Sequence, residues 1–298
     1  MLKTRLIPCL LMKNGLLVRS EQFSLHQIVG NPVHQVERFN TWAVDELVYL
    51  DITRQGEYDM RRDDHKIKDK KTLLEIIEEV SRTCFVPLTF GGGIRTIEDI
   101  RTRIAYGADK VAINTQAAAF PEFINEAARI FGSQAIVVSI DVRCHAAGAW
   151  EVFVHGGRQP TGLDVIEWAK EAERRGAGEV FLNSIDRDGK GCGYDLPLIE
   201  AVSRETTIPV IICGGVGRFE HLVDGVHAGA SAVSAANIFH FTEHSTQHAK
   251  KVLAKAGVNV RLSAQFRTNS TSRRPGVSRS STSKPNESRR PASESRCM

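Results

Sequence analysis

The chain has 298 residues, 42% hydrophobic and 25% charged, enough to bury a large core and well outside the composition of a disordered protein. Its net charge of +4 belongs to one end: residues 267–298 carry eight Lys/Arg against two acidic residues, leaving −2 for residues 1–266 and no reason to expect nucleic acid. The opening MLKTRLIPCLLMKNG turns polar too soon for a signal peptide or membrane span, and the six cysteines (9, 84, 144, 192, 213, 297) lack zinc-ligand spacing. They are expected as buried free thiols in a cytoplasmic protein.

Along the chain, β-branched runs alternate with amphipathic stretches. The predicted strands are 5–11, 46–52, 86–90, 110–114, 135–141, 179–184, 208–213 and 231–236. Helices are predicted near 31–42, 72–82, 96–105, 120–130, 163–175, 195–204, 218–227 and 245–256. Eight such alternations predict an α/β fold, a (β/α)8 TIM barrel over residues 1–262, with chemistry at the C-terminal ends of the strands. Two segments break the rhythm. Residues 54–71, RQGEYDMRRDDHKIKDKK, predict a solvated loop, with a substrate lid as the alternative. The Ser/Arg-rich tail from 263 to 298 has nothing to bury and predicts disorder, either inert or a regulatory arm.

The stretch PLTFGGGIRTIED (87–99) is a strand, a glycine turn and a helix opened by Thr96. Glycines there leave backbone N–H groups free to face an anion at a helix N-terminus, a phosphate cradle. PVIICGGVGRFEH (209–221) repeats it 122 residues later, from Gly92 to Gly214, and Gly107 returns as Gly229 at the same offset. The predicted phosphate sites are Gly92, Gly93, Asn114 and Thr115 on one side, and Gly214, Gly215, Ala236 and Asn237 on the other. Two such sites imply a substrate with a phosphate at each end.

Strand 5, IVVSIDVR, runs apolar until Asp141, which either caps a turn or serves as a general acid/base between the two sites. The repeat overlays IPCLLMKNG on VSIDVRCHA with an offset of 130 and sets Leu11 under Asp141, so one half offers a carboxylate and the other an isobutyl group. Asp51, Asn183 and Asp188 complete the predicted rim. Arg5, Glu46, Lys110 and Glu179 open their strands and converge on the lower mouth, as stabilising ion pairs or as a gate. His240, His244 and His248 have helical spacing, yet no metal or cofactor is expected.

The segments IPCLLMKNG, VDELVYLDIT, FGGGIRT, GADKVAINT, FGSQAIVVSIDVR, RRGAGE, NSIDRDGKGCGYD, CGGVGRFEH and NIFHF, followed by GVNVRL (257–262), resemble the HisF family, the cyclase subunit of imidazole glycerol phosphate synthase. The resemblance implies a half-barrel-duplicated fold of the ribulose-phosphate-binding type and a heterodimer with a HisH-type glutaminase on the lower face. It also implies ammonia passing through the barrel and a bisphosphorylated ribulosyl-formimino aminoimidazole carboxamide nucleotide as substrate. Products would be imidazole glycerol phosphate and AICAR. Asp141 matches the family's base, the phosphate-binding positions match with Cys213 in place of a usual serine, and Arg5, Glu46, Lys110 and Glu179 match its ammonia gate. Leu11 stands where the family has its other catalytic Asp, and Arg19 and Asn183 replace a usual lysine and threonine. Those departures resemble a HisF-like branch linked to surface-polysaccharide sugar amidation.

Overall fold

The computed structural model describes residues 3–53, 72–146, 148–241 and 243–262. The segment 54–71 and the tail 263–298, for which a loop and disorder are expected, lie outside the described residues.

The described elements run in chain order. The first half holds β1 (Arg5–Lys13), β2 (Leu16–Glu21), β3 (Leu25–Gly30), α1 (Pro32–Thr41), β4 (Leu47–Asp51) and α2 (Leu73–Thr83). It continues with β5 (Leu88–Gly91), α3 (Ile97–Ala105), β6 (Lys110–Ile113), α4 (Thr115–Ala119) and α5 (Glu122–Phe131). The second half holds β7 (Ile136–Ala146), β8 (Ala149–Val154), β9 (Gln159–Asp164), α6 (Val165–Arg174), β10 (Glu179–Ser184) and α7 (Leu196–Glu205). It closes with β11 (Val210–Cys213), α8 (Glu220–His227), β12 (Ala232–Ala235) and α9 (Ser245–Lys255).

Eight strands pair in parallel in the order β1-β4-β5-β6-β7-β10-β11-β12, and β12 returns to β1, so the sheet closes into a barrel. This is a (β/α)8 TIM barrel, and all eight predicted strands are in it. In this order β1 stands opposite β7, and the β5–β6 pair stands opposite β11–β12.

The period of two along each strand sorts the interior from the helix layer. On β1, Ile7, Cys9 and Leu11 join the inner apolar cluster with Val48, Ala112, Val137, Phe181 and Ile211. Leu6, Leu10 and Met12, one residue out of step, pack under the helices with Val36, Phe39 and Leu253. The same parity carries Arg5, Glu46, Lys110 and Glu179 inward at the bottom of their strands and Asp141, Asn183 and Asn114 inward at the top. The interior is therefore stacked: a charged ring, an apolar plug, then a polar mouth.

Four features depart from the predicted elements. Strands 1 and 5 outrun the barrel, and each continues into an antiparallel hairpin, β1–β2–β3 and β7–β8–β9. The predicted helix 120–130 is α5, and a short unpredicted helix, α4, precedes it; Phe120, before Pro121, is extended (φ −138, ψ 80) and separates the two. α9 begins at Ser245, so His240, half-buried just after a 3₁₀ turn, and His244, left-handed at φ 53, share no helix face with His248. Finally, among the described residues only Cys9 and Cys213 are buried; Cys84 is half-buried, and Cys144 and Cys192 are exposed. Among the described residues no helix is long and apolar enough to cross a membrane.

Candidate active site at the barrel mouth

Both glycine turns are shaped by close backbone approach. At Gly92 (φ 99) a Cβ would lie 2.1 Å from the carbonyl oxygen of Asp51, so only glycine lets the turn pass the end of β4. The buried Arg103 donates Nη2 to the Gly92 carbonyl at 2.8 Å, and a Thr96–Asp99 capping box fixes the start of α3. At Gly214 (φ 98) a Cβ would lie 2.7 Å from the Ser184 carbonyl, and at Gly215 (φ 101) 2.2 Å from that of Gly193. The Gly193 N–H also donates to the Gly215 carbonyl at 2.7 Å, joining this turn to the loop after β10.

The predicted rim residues gather into two groups. Asn114 occupies the N-cap of α4 without capping it; its Nδ2 donates instead to Asp141 Oδ2 at 2.9 Å. Asp141 is 8% exposed and pairs in register with Asn183, whose buried Oδ1 has no hydrogen-bond partner among the described residues. Burial raises the Asp141 carboxyl to about 7; the Asn114 amide pulls the other way and the nearby Asp188 reinforces the rise. A carboxyl at that value gives up or takes a proton near neutrality, the property that general acid/base work requires.

Asp188 anchors the second group. Its Oδ2 accepts Ser20 Oγ at 2.7 Å and the Phe23 N–H at 3.3 Å, while its carbonyl accepts the Gln22 N–H at 3.1 Å. Burial raises this carboxyl too, against the opposing bonds from Ser20 and Phe23. Asn237 exchanges bonds with the Ser20 backbone, donating Nδ2 to its carbonyl at 2.8 Å. The β2–β3 hairpin thus lies over the β10 and β12 side of the mouth. The tip of the other hairpin meets it: a Cβ on Gly157 would be 2.8 Å from the Phe23 ring and 2.9 Å from Ile185. Thr115 Oγ1 accepts the His155 N–H of that tip at 3.1 Å.

Asp51 and Leu11 stand apart from these two groups. Asp51 turns Oδ1 back to its own loop, accepting Thr53 N at 3.0 Å and Thr53 Oγ1 at 2.5 Å, as an Asx turn does. Leu11, 8% exposed, packs in the inner apolar cluster beside Cys9 and Val18, on the strand opposite Asp141. Sequence reasoning missed Ser20, Phe23 and Gly157, because it missed the hairpins that carry them. Asn14-Gly15 between two apolar runs was the available signal; both have positive φ, 51 and 77, as a tight hairpin turn needs.

At the other end of the barrel the four charges form a closed alternating ring. Arg5 Nη1 donates to Glu46 Oε2 at 2.7 Å and to Glu179 Oε1 at 2.8 Å, while Lys110 Nζ reaches Glu46 Oε1 at 2.5 Å and Glu179 Oε1 at 3.2 Å. Burial alone would lower the Arg5 guanidinium, but Glu179 and Glu46 outweigh it and hold it above its ordinary value.

The family model described as "Histidine biosynthesis protein" matches residues 5–245. The chain is also 44% identical over 261 residues to the imidazole glycerol phosphate synthase subunit HisF of Gluconacetobacter diazotrophicus, an alignment covering 88% of this chain and 97% of that protein. With the barrel, its paired glycine turns and this identity over nearly the whole of that relative, the chain belongs to the HisF family of histidine biosynthesis proteins.

Proposed function

We propose that this chain is the HisF-type subunit of an imidazole glycerol phosphate synthase, working on ammonia released by a HisH-type glutaminase. The substrate would be the bisphosphorylated ribulosyl-formimino aminoimidazole carboxamide nucleotide, one phosphate against Gly92, Gly93, Asn114 and Thr115, the other against Gly214, Gly215, Ala236 and Asn237. The observation that carries this reading is the position of Asp141: a buried carboxyl raised to about 7 on β7, with the two glycine turns on strand pairs opposite one another. Ammonia would add to the ketone of the ribulosyl arm. Asp141 would then move the protons needed for ring closure and for elimination of AICAR. Asn114 orients that carboxyl, and Asp188, also raised by burial, would be a second proton carrier. The ring of Arg5, Glu46, Lys110 and Glu179 would admit ammonia from below.

A second reading rests on Leu11. A leucine packed into the apolar plug can carry no proton, and losing a general acid costs about 10²–10⁴-fold in rate. In that reading the chain is a cyclisation-impaired paralogue, a conduit and scaffold passing ammonia on for amidation of a surface-polysaccharide sugar. One assay separates the two. The nucleotide is supplied with ammonium salt, and loss of its chromophore is followed for the native chain, Leu11→Asp and Asp141→Asn. Slow native turnover that Leu11→Asp raises and Asp141→Asn abolishes supports the cyclase. No turnover in any of the three, with glutaminase activity still stimulated, supports the conduit. Turnover untouched by Asp141→Asn rejects the assignment of that base.

A further inference from the structure

A cavity of about 290 Å³ opens on the outer side of the second glycine turn, between the starts of α7 and α8. It is separate from the mouth. Gly214 faces Asn183 and Ser184 on the barrel side of the turn, whereas Gly215 and Gly217 face Gly193 and Gly191, the loop that walls this cavity. Arg187 and Arg218 line it, and neither has an ion-pair partner among the described residues; Asp224 is the one carboxylate in its wall.

The telling residue is His221, 8% exposed and part of the wall. The Gly217 N–H points at its Nδ1 at 3.2 Å, and Arg218 Nε points at its Nε2 at 3.0 Å. An imidazole has at most one acceptor nitrogen. If Nδ1 takes the Gly217 proton, Nε2–H and Arg218 Nε–H are two donors facing each other; if Nε2 accepts, the Gly217 N–H meets another N–H. Either way one donor is left over at the cavity wall, where Gly217 and Arg218 are exposed beside the buried ring, and an added acceptor with negative charge would satisfy it.

We propose that this cavity binds the phosphate group of a small metabolite, held by Arg187, Arg218 and the surplus donor of the His221 cluster, with Leu196 and Pro197 beside the organic part. The site lies beyond those assigned to the HisF-type substrate and does not depend on that assignment. Through the Gly193–Gly215 bond its occupancy bears on the second glycine turn.

Cys192 makes the test direct, because its thiol lines the cavity with Arg187 Nη1 at 3.8 Å from Sγ. Alkylation by iodoacetamide, read peptide by peptide by mass spectrometry, is compared with and without inorganic phosphate, the exposed Cys144 serving as internal reference. Phosphate at about ten times its dissociation constant should slow labelling of Cys192 about tenfold and leave Cys144 unchanged. Arg218→Gln should abolish the protection, and Asp224→Asn should strengthen it by removing a like charge. Phosphate held only at the barrel mouth would leave Cys192 labelling as it was. That result, or protection that persists undiminished in Arg218→Gln, overturns the proposal; the opposite sign of the Asp224→Asn effect keeps the test sound if Arg218→Gln folds poorly.

Discussion

A carboxyl facing the closed interior of a barrel has lost most of its water, and Asp141 shows the consequence: burial holds its proton to about pH 7. The unfolded chain releases that proton near the ordinary value of 3.8, so between those two values the folded state binds more protons and stability falls as pH rises. Asp141→Asn removes this burden and keeps an acceptor for the Asn114 amide. The variant should be more stable than the native chain by about 1–4 kcal/mol at pH 8, with the gain disappearing as pH falls towards 4; urea unfolding at the two pH values measures it. Any turnover of the native chain should show a limb near pH 7 in its rate profile. Asp141 was legible in the sequence because an apolar strand ends on it. The raised value was not, since it comes from the depth of the mouth and from Asp188, which is 47 positions away in the chain. Leu11 was legible too, through the repeat. What the structure adds is that its side chain fills the apolar plug, so Leu11→Asp carries a stability cost of about 2–4 kcal/mol along with any gain in rate.

Among the elements, the two hairpins do most to shape the site. Ser20 is the fastening of the first: its hydroxyl reaches Asp188 and its backbone reaches Asn237. Ser20→Ala leaves a buried carboxylate oxygen short of a donor and should cost about 1–3 kcal/mol locally. Hydrogen exchange should then speed up across residues 16–30 while the barrel strands keep their protection. The glycine turns are less forgiving. Gly92→Ala places a methyl against the Asp51 carbonyl at a φ that side chains avoid, and should cost about 2–4 kcal/mol in global unfolding. The sequence disclosed the turns because a glycine pair before a helix cap is a local pattern, repeated once. It concealed the hairpins because β2 and β3 are short, and a reader tuned to βα alternation passes over the Asn14-Gly15 turn between β1 and β2. The contact of Gly157 with Phe23 could not be read locally at all, since it joins two tips 134 positions apart.

At the level of the molecule, strand parity builds both ends of the barrel with one rule, and the ring below and the mouth above are its two outcomes. The ring is shared: each cation bonds both carboxylates, with Glu46 almost fully buried. Arg5→Ala should destabilise by about 1–3 kcal/mol, less than the loss of a lone buried partner, because Lys110 still serves Glu46 and Glu179. In a complex with a HisH-type glutaminase it should also uncouple glutamine hydrolysis from use of the ammonia, seen as ammonium released to the medium per glutamine consumed. The halves also match element for element: a long strand, a hairpin, then three further strands with their helices, in β1 to α5 and again in β7 to α9. The two halves therefore share the roof along with the walls. Two awnings spring from opposite staves and touch at their tips, although only β7 carries a carboxyl beneath them, β1 having Leu11 at that level. Shelter and reactivity are thus carried by different residues: the hairpins lean over the mouth from both sides, whereas the carboxyl raised to about 7 comes from β7 alone.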